Sequence, residues 1–152
     1  MIYGIERNMH VVLDTNVLVA GLRSNQGASY RILRCVGGDG PVVTPIISVP
    51  VFLEYEAVLK RKGTFPIPWK EEKIDAVLDL LLAVSERPRL YYLWRPLLPD
   101  PGDDMIVEIA MAGRADAIVT FNIRDFVVAE ERFGLKVLTP REFLKMLREK
   151  RT

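Results

Sequence analysis

An α/β fold built on a mostly parallel sheet is predicted by three observations. Short β-rich apolar runs recur along the chain, longer stretches of helical periodicity separate them, and no low-complexity tract, internal repeat or Gly/Ser linker breaks the alternation. Repeated strand–helix units of this kind bury both faces of a parallel sheet under helices. The 152 residues, 49% apolar and 27% charged, suit one domain with a substantial core, so residues 1–152 are read as a single domain.

The strand candidates are HVVLD (10–14), PVVTP (41–45), RLYYLW (89–94), ADAIVTF (115–121) and LKVLTP (135–140). Between them lie the helical patterns ASYRILRCV (28–36), VPVFLEYEAVLKR (49–61), WKEEKIDAVLDLLLAVSER (69–87) and DMIVEIAMAG (104–113), with a further helix beginning near Val17. The last helix carries the clearest local signal. Thr139-Pro140-Arg141-Glu142 sets Thr at the N-cap, Pro at the first helical position and Glu at the third, a capping box. TFPIPW (64–69) and RPLLPDPGDD (95–104) are proline-rich connectors.

Composition excludes several classes. A formal charge of +1 gives no bulk attraction to nucleic acid or to a membrane surface, although local patches remain open. One cysteine, Cys35, rules out an internal disulfide and fits a reducing cytoplasm. No secretory signal is read at the N-terminus. The longest apolar stretch, PVVTPIISVPVFL, holds three prolines and falls short of the ~20 residues that cross a bilayer, so a soluble, cytoplasmic protein is expected.

In parallel α/β sheets ligands bind beyond the carboxyl ends of the strands, which directs the search for chemistry to polar residues there. Asp14 follows an apolar run at such an end, with Asn16 two positions on; either can equally cap the helix near Val17. In VFLEYEAVLKR, Val51, Tyr55, Val58 and Leu59 form an apolar stripe. Glu54 and Glu56 flank it on opposite edges, and helical geometry alone does not choose between them. Asp100, Asp103, Asp104 and Glu108 crowd four carboxylates into nine positions at a helix start, where acids also serve as caps and dipole partners. Asp104 and Glu108, four apart, share a face and repel unless a cation lies between them. Finally, ADAIVTFNIRDF ends a strand in Thr120-Phe121-Asn122, followed by Arg124 and Asp125, a segment that a turn would also explain. Each site singly has a structural reading. Together they place like charge on one edge of the sheet, and the remedy is a hard divalent cation such as Mg²⁺ or Mn²⁺. Zinc is disfavoured, with one His and one Cys in the chain.

VVLDTNVLVAGL, VFLEYEAVLKR, DPGDDMIVEIA and ADAIVTFNIRDF, in that order and at comparable separations, resemble the PIN domain, especially the bacterial toxins of toxin-antitoxin pairs. The resemblance spans about residues 10–144. It implies a three-layer α/β/α sandwich on a parallel five-stranded sheet and a metal-dependent endoribonuclease active in the cytoplasm. Asp14 is then the first metal-site acid with Asn16 as its polar companion, and Glu54 rather than Glu56 is the second. Asp103 is the third, with Asp104 in reserve. The pattern departs at the fourth position, where Asn122 stands in place of the acid of many relatives and Asp125 is the next carboxylate. The resemblance further implies catalytic roles for Asp14, Glu54, Asp103 and Asn122, a Mg²⁺ or Mn²⁺ cofactor, an antitoxin partner and a homodimer. In such a site the ion lowers the pKa of a bound water and offsets charge on the scissile phosphate, while Asn16, Thr120 and Glu108 orient the groups around it.

RNA needs cations, and Arg23, Lys60 and Arg61 are the expected phosphate contacts; the C-terminal helix adds Arg141, Lys145 and Arg148, although for each residue alone a solvated basic face or a cationic helix end is the commoner explanation. Tyr91, Tyr92 and Trp94 are candidates to stack on bases or to fill the core. Three other readings compete: a PIN-like fold that only binds RNA or protein, a phosphotransfer domain with an Asp nucleophile, and a structural domain whose acids are all caps. The second would want an acid at position 16 and a lysine near a later strand end, whereas the chain has Asn16 and no lysine between Lys73 and Lys136.

Overall fold

Residues Met9–Leu13 form β1, and their alternation decides the architecture: Met9, Val11 and Leu13 enter one apolar cluster while Val12 enters another on the opposite face of the sheet. The same period of two recurs in β3 (Ala117–Val119), where Ala117 and Val119 side with Val11 and Ile118 sides with Val12. A sheet buried on both faces needs helices on both. The computed structural model of the chain describes residues 8–89, 98 and 100–150, and it supplies them.

The described sheet adds β2 (Val43–Pro45) and β4 (Val137–Leu138) in the order β2-β1-β3-β4, every pair parallel. Helices α2 (Ala28–Val36) and α7 (Pro140–Lys150) cover one face, bringing Ile32, Phe143 and Leu147 to the Val11 cluster. On the other face lie α3 (Val49–Leu59), α4 (Glu71–Val84) and α5 (Pro101–Ala112), with Val51, Tyr55, Leu78, Ile106 and Ile109 in the Val12 cluster. Helix α1 (Thr15–Arg23) straddles the sheet end, sending Val17 to one cluster and Leu18 to the other. Its Gly21 is required by packing, since a Cβ there would stand 2.5 Å from Leu33 Cδ1 of α2.

Local signals account for the helix ends. Asp14 caps α1, Ser48 Oγ accepts the Val51 amide at the start of α3, and Asp100 caps α5 with Pro101 next. The capping box at Thr139 is present in both directions: the Thr139 amide donates to Glu142 at 2.9 Å and the Glu142 amide to Thr139 Oγ1 at 3.1 Å.

One expectation is revised. The described sheet has four strands, not five; most of RLYYLW (89–94), with Tyr91, Tyr92 and Trp94, lies outside the described residues. What is described on that side is a parallel bridge of Glu86 to Ile46. The chain after Asn122, where the sequence offered only a turn, is a 3-10 turn (Ile123–Phe126) that runs on into α6 (Val127–Phe133), which ends on Gly134 at φ 67°. A left-handed glycine is the usual helix stop.

Because β1 connects to β2 on one side and the chain then crosses to β3 on the other, the strand order reverses between β1 and β3. Their carboxyl ends flank the crevice where open α/β sheets bind ligands. No described helix is long and apolar enough to cross a membrane.

Candidate metal centre

Asp14 emerges from β1 at that reversal. Its amide continues the ladder to Val119 O at 2.9 Å, fixing the backbone, and its carboxylate does two jobs. Oδ1 accepts the Thr15 amide at 2.8 Å, the cap; Oδ2 accepts the Thr120 hydroxyl at 2.7 Å. The capping and site readings of Asp14 are therefore compatible. Thr120, fully buried at the end of β3, in turn accepts the Asn122 amide at 2.9 Å. Asn16 Oδ1 accepts the Phe121 amide at 3.4 Å, tying α1 to the same turn. From beneath, the buried Tyr55 hydroxyl of α3 donates to Leu13 O at 2.5 Å and anchors the end of β1. Sequence inspection took Tyr55 for a core residue alone; its hydroxyl, which needs a partner once buried, was the available signal.

A cleft of about 700 Å³ opens over this strand end. Asp14, Asn16 and Arg23 line it from α1, Glu54 from α3, Asp100 and Asp103 from the start of α5, and Asn122 and Asp125 from the turn after β3. Five carboxylates thus share a space in which Arg23 is the one cation among the described lining residues. The electrostatics follow. Partial burial raises the Asp14 carboxyl above its ordinary value, with the charges of Asp125 and Glu54 adding to the effect against the hydrogen bonds from Thr120 and Thr15. Asp103 is pushed up to about 7, first by desolvation and then by Asp14, Asp100, Asp125 and Asp104.

The pair left open on α3 separates. Glu54 reaches the cleft, whereas Glu56 binds Lys60 Nζ at 3.1 Å on the other side of the helix. On α5 it is Asp103 that faces the cleft. Asp104 lies ~100° around the helix, 2% exposed, with Oδ1 accepting the Leu98 amide at 3.0 Å, so it holds the connector and is not among the residues that line the cleft. Glu108, ~140° around from Asp103, does not line the cleft either. Arg23 stands on the cleft wall as expected, but Lys60 does not. Its ammonium is held by Asp75 at 2.7 Å, Glu56 at 3.1 Å and Glu71 at 3.3 Å, a clamp between α3 and α4. Arg61 lines a separate pocket of about 120 Å³ in the α3–α4 connector.

The donor set fits a hard ion. Oxygen ligands dominate, and like charges that raise one another's pKa are what a divalent cation relieves. Among the described residues no three His, Cys, Asp or Glu side chains stand as a preformed ligand cage. Oxygen donors of this kind are the ones that Mg²⁺ and Mn²⁺ accept, whereas zinc favours nitrogen and sulfur ligands.

The family model for the PIN domain matches residues 10–124, most of the chain. This chain belongs to the PIN domain family. Solved structures similar to this PIN domain include VapBC2 from Rickettsia felis bound to a DNA fragment from their promoter. That structure is 23% identical with a TM-score of 0.55, over 85% of this chain and 97% of that one. VapBC-1 from nontypeable Haemophilus influenzae is 17% identical with a TM-score of 0.53, over 88% and 99%. At such identities the likeness establishes the fold. No curated protein matches. The PIN domain match encloses Asp14, Glu54, Asp103 and Asn122 and stops one residue short of Asp125.

Proposed function

We propose that this PIN domain is a Mg²⁺- or Mn²⁺-dependent endoribonuclease and the toxin of a toxin-antitoxin pair in the cytoplasm. The observation that carries the reading is the meeting of Asp14, Glu54, Asp103 and Asp125 on one cleft at the strand-order reversal. When bound there, a divalent ion supplies Lewis acidity at a scissile phosphate and a water of lowered pKa.

The chain's own residues prepare that chemistry. Asp14, at the carboxyl end of β1, and Asp103, in the first turn of α5, are the principal ligands, because they face one another across the same cleft and the charge of Asp14 acts on Asp103. Glu54 and Asp125 add negative charge from opposite walls, and Asn122 offers a neutral carbonyl oxygen. Thr120 fixes the rotamer of Asp14 through its 2.7 Å bond. Asn16, its carbonyl engaged by Phe121, keeps its amide nitrogen to donate to a phosphate oxygen. Arg23 supplies the cation that draws an RNA backbone into an otherwise repulsive cleft.

A protein partner that silences the site is expected to cover the cleft with a basic group directed at the carboxylates. On α4 Ile74, Leu78 and Leu81 face the core, while Leu80 and Val84, 69% and 44% exposed on another side of the helix, are the apolar surface offered to a second copy. Asn122 supports a second reading, a PIN domain that binds RNA without cutting it. Incubation of single-stranded RNA with the protein in Mn²⁺ and in EDTA tests the two: fragments in Mn²⁺ alone are expected, and intact RNA bound in both conditions would favour the non-catalytic reading.

A further inference from the structure

Successive carbonyls of a strand point to opposite sides, so those of Val11 and Leu13 face β2 while that of His10 faces β3. Val11 O accepts the Ile46 amide at 2.8 Å, and His10 O accepts the Asp116 amide at 2.7 Å. Leu13 O, two residues beyond Val11, meets no backbone amide among the described residues, because the chain leaves the sheet after Ile47 and Ser48 already caps α3. A buried carbonyl needs a donor. The Tyr55 hydroxyl supplies it from α3 at 2.5 Å. Burial raises the phenol above its ordinary value and the Asp14 charge adds to the shift, so at neutral pH the hydroxyl keeps its proton and donates.

This bond joins the chain neighbours of two cleft acids. Leu13 precedes Asp14 on β1 and Tyr55 follows Glu54 on α3, while Asp14 and Glu54 themselves line the cleft. Among the described residues it is the one hydrogen bond between α3 and β1. The other bonds that hold Asp14, to Val119 O, the Thr120 hydroxyl and the Thr15 amide, come from β3 and α1 and leave α3 untied. The two acids also repel, since the Glu54 charge is among those that raise the Asp14 carboxyl. Without a restraint the gap between them opens. We infer that Tyr55 is a positioning residue of the metal centre: its hydroxyl ties α3 to the end of β1 and so fixes the distance from Glu54 to Asp14 and to the ion that Asp14 holds. The inference rests on the metal-dependent reading of the cleft and adds to it a residue outside the cleft, for Tyr55 is 2% exposed and does not line it. A phenol that only satisfied a buried carbonyl would affect stability and leave the ion alone.

The test is calorimetric titration of Mn²⁺, without RNA, into the wild type, Tyr55→Phe, Glu54→Gln and the double variant, well below their melting temperatures. Tyr55→Phe keeps the packed ring and removes only the donor. Its Mn²⁺ affinity is expected to fall about tenfold, the lower end of the cost of losing a group that orients a ligand. In the Glu54→Gln background the same change is expected to cost no more than about threefold, because residues that act through one another are not additive. Ser85→Ala removes another hydroxyl that donates to a backbone carbonyl, Leu81 O at 2.6 Å, away from the cleft; it controls for lost stability and should leave the affinity unchanged. Equal affinity in the wild type and Tyr55→Phe would overturn the inference and leave the metal centre standing. An equal loss with and without the Glu54 carboxylate would overturn it as well. Weakened binding in Tyr55→Phe beside a wild type that cuts no RNA would uphold the tie and remove the ribonuclease. A wild type that takes up no Mn²⁺ would remove the metal centre and the inference with it.

Discussion

The Thr120 hydroxyl donates to Asp14 Oδ2 at 2.7 Å, so the adjacent carboxyl ends of two parallel strands hold one carboxylate in place. That bond opposes the burial that raises the Asp14 pKa. Removing it in Thr120→Val should therefore weaken Mn²⁺ affinity by about 10–100-fold, the usual cost of losing a group that orients a ligand. Thr120→Ser should restore most of it. Calorimetric titration of Mn²⁺ into both variants checks the order; equal affinities would show that the bond does not position Asp14.

Asp103 gives the metal-free protein a pH dependence of definite sign. A carboxyl with a folded pKa above its unfolded one binds protons more tightly when folded, so its stabilising contribution is full below 3.8 and disappears as pH rises through about 7. Asp14 acts in the same direction. In EDTA the melting temperature should fall between pH 5 and pH 8, the fall should shrink in Asp103→Asn, and Mn²⁺ should reverse it by binding the folded state. A melting temperature level across that range in EDTA would contradict the crowding of charge described for the cleft.

The two glutamates of α3 should behave oppositely. Glu54→Gln removes a cleft carboxylate and is expected to abolish most Mn²⁺-dependent RNA hydrolysis while leaving the melting temperature nearly unchanged. Glu56→Gln loosens one strand of the Lys60 clamp, which Asp75 and Glu71 still hold, and should leave hydrolysis intact. Paired rate and melting measurements decide the assignment, and loss of hydrolysis in Glu56→Gln alone would reverse it.

Asp104 should prove structural. Asp104→Ala leaves the Leu98 amide without its acceptor in a buried setting, at a cost of ~1–3 kcal/mol, yet Mn²⁺ affinity should stay within about twofold of wild type. A large loss of affinity with unchanged stability would return Asp104 to the ligand set.

Where the sequence was legible, local chemistry and tertiary structure agreed. Alternation in HVVLD gave β1 and its carboxyl end, Thr139 to Glu142 gave the start of α7, and four separated acidic segments pointed to one edge of the sheet. It was illegible where a distant element decided the outcome. KRK at the end of α3 reads as a phosphate-binding run until Glu71 and Asp75 arrive from α4 to take Lys60. Helix phase paired Asp104 with Glu108, but the Leu98 amide, on a connector whose path no pattern reveals, drew Asp104 inward. α6 escaped notice although Gly134 marked its end, because its seven residues are too few to display a helical period.

The account depends on a divalent cation sitting between Asp14 and Asp103. Anomalous diffraction from a crystal soaked in Mn²⁺ tests this most directly: a peak is expected in the cleft with oxygens of both carboxylates ~2.0–2.6 Å away or bridged to it by one water. A soaked crystal with no peak in the cleft, or with its manganese bound only at other carboxylates, would contradict it.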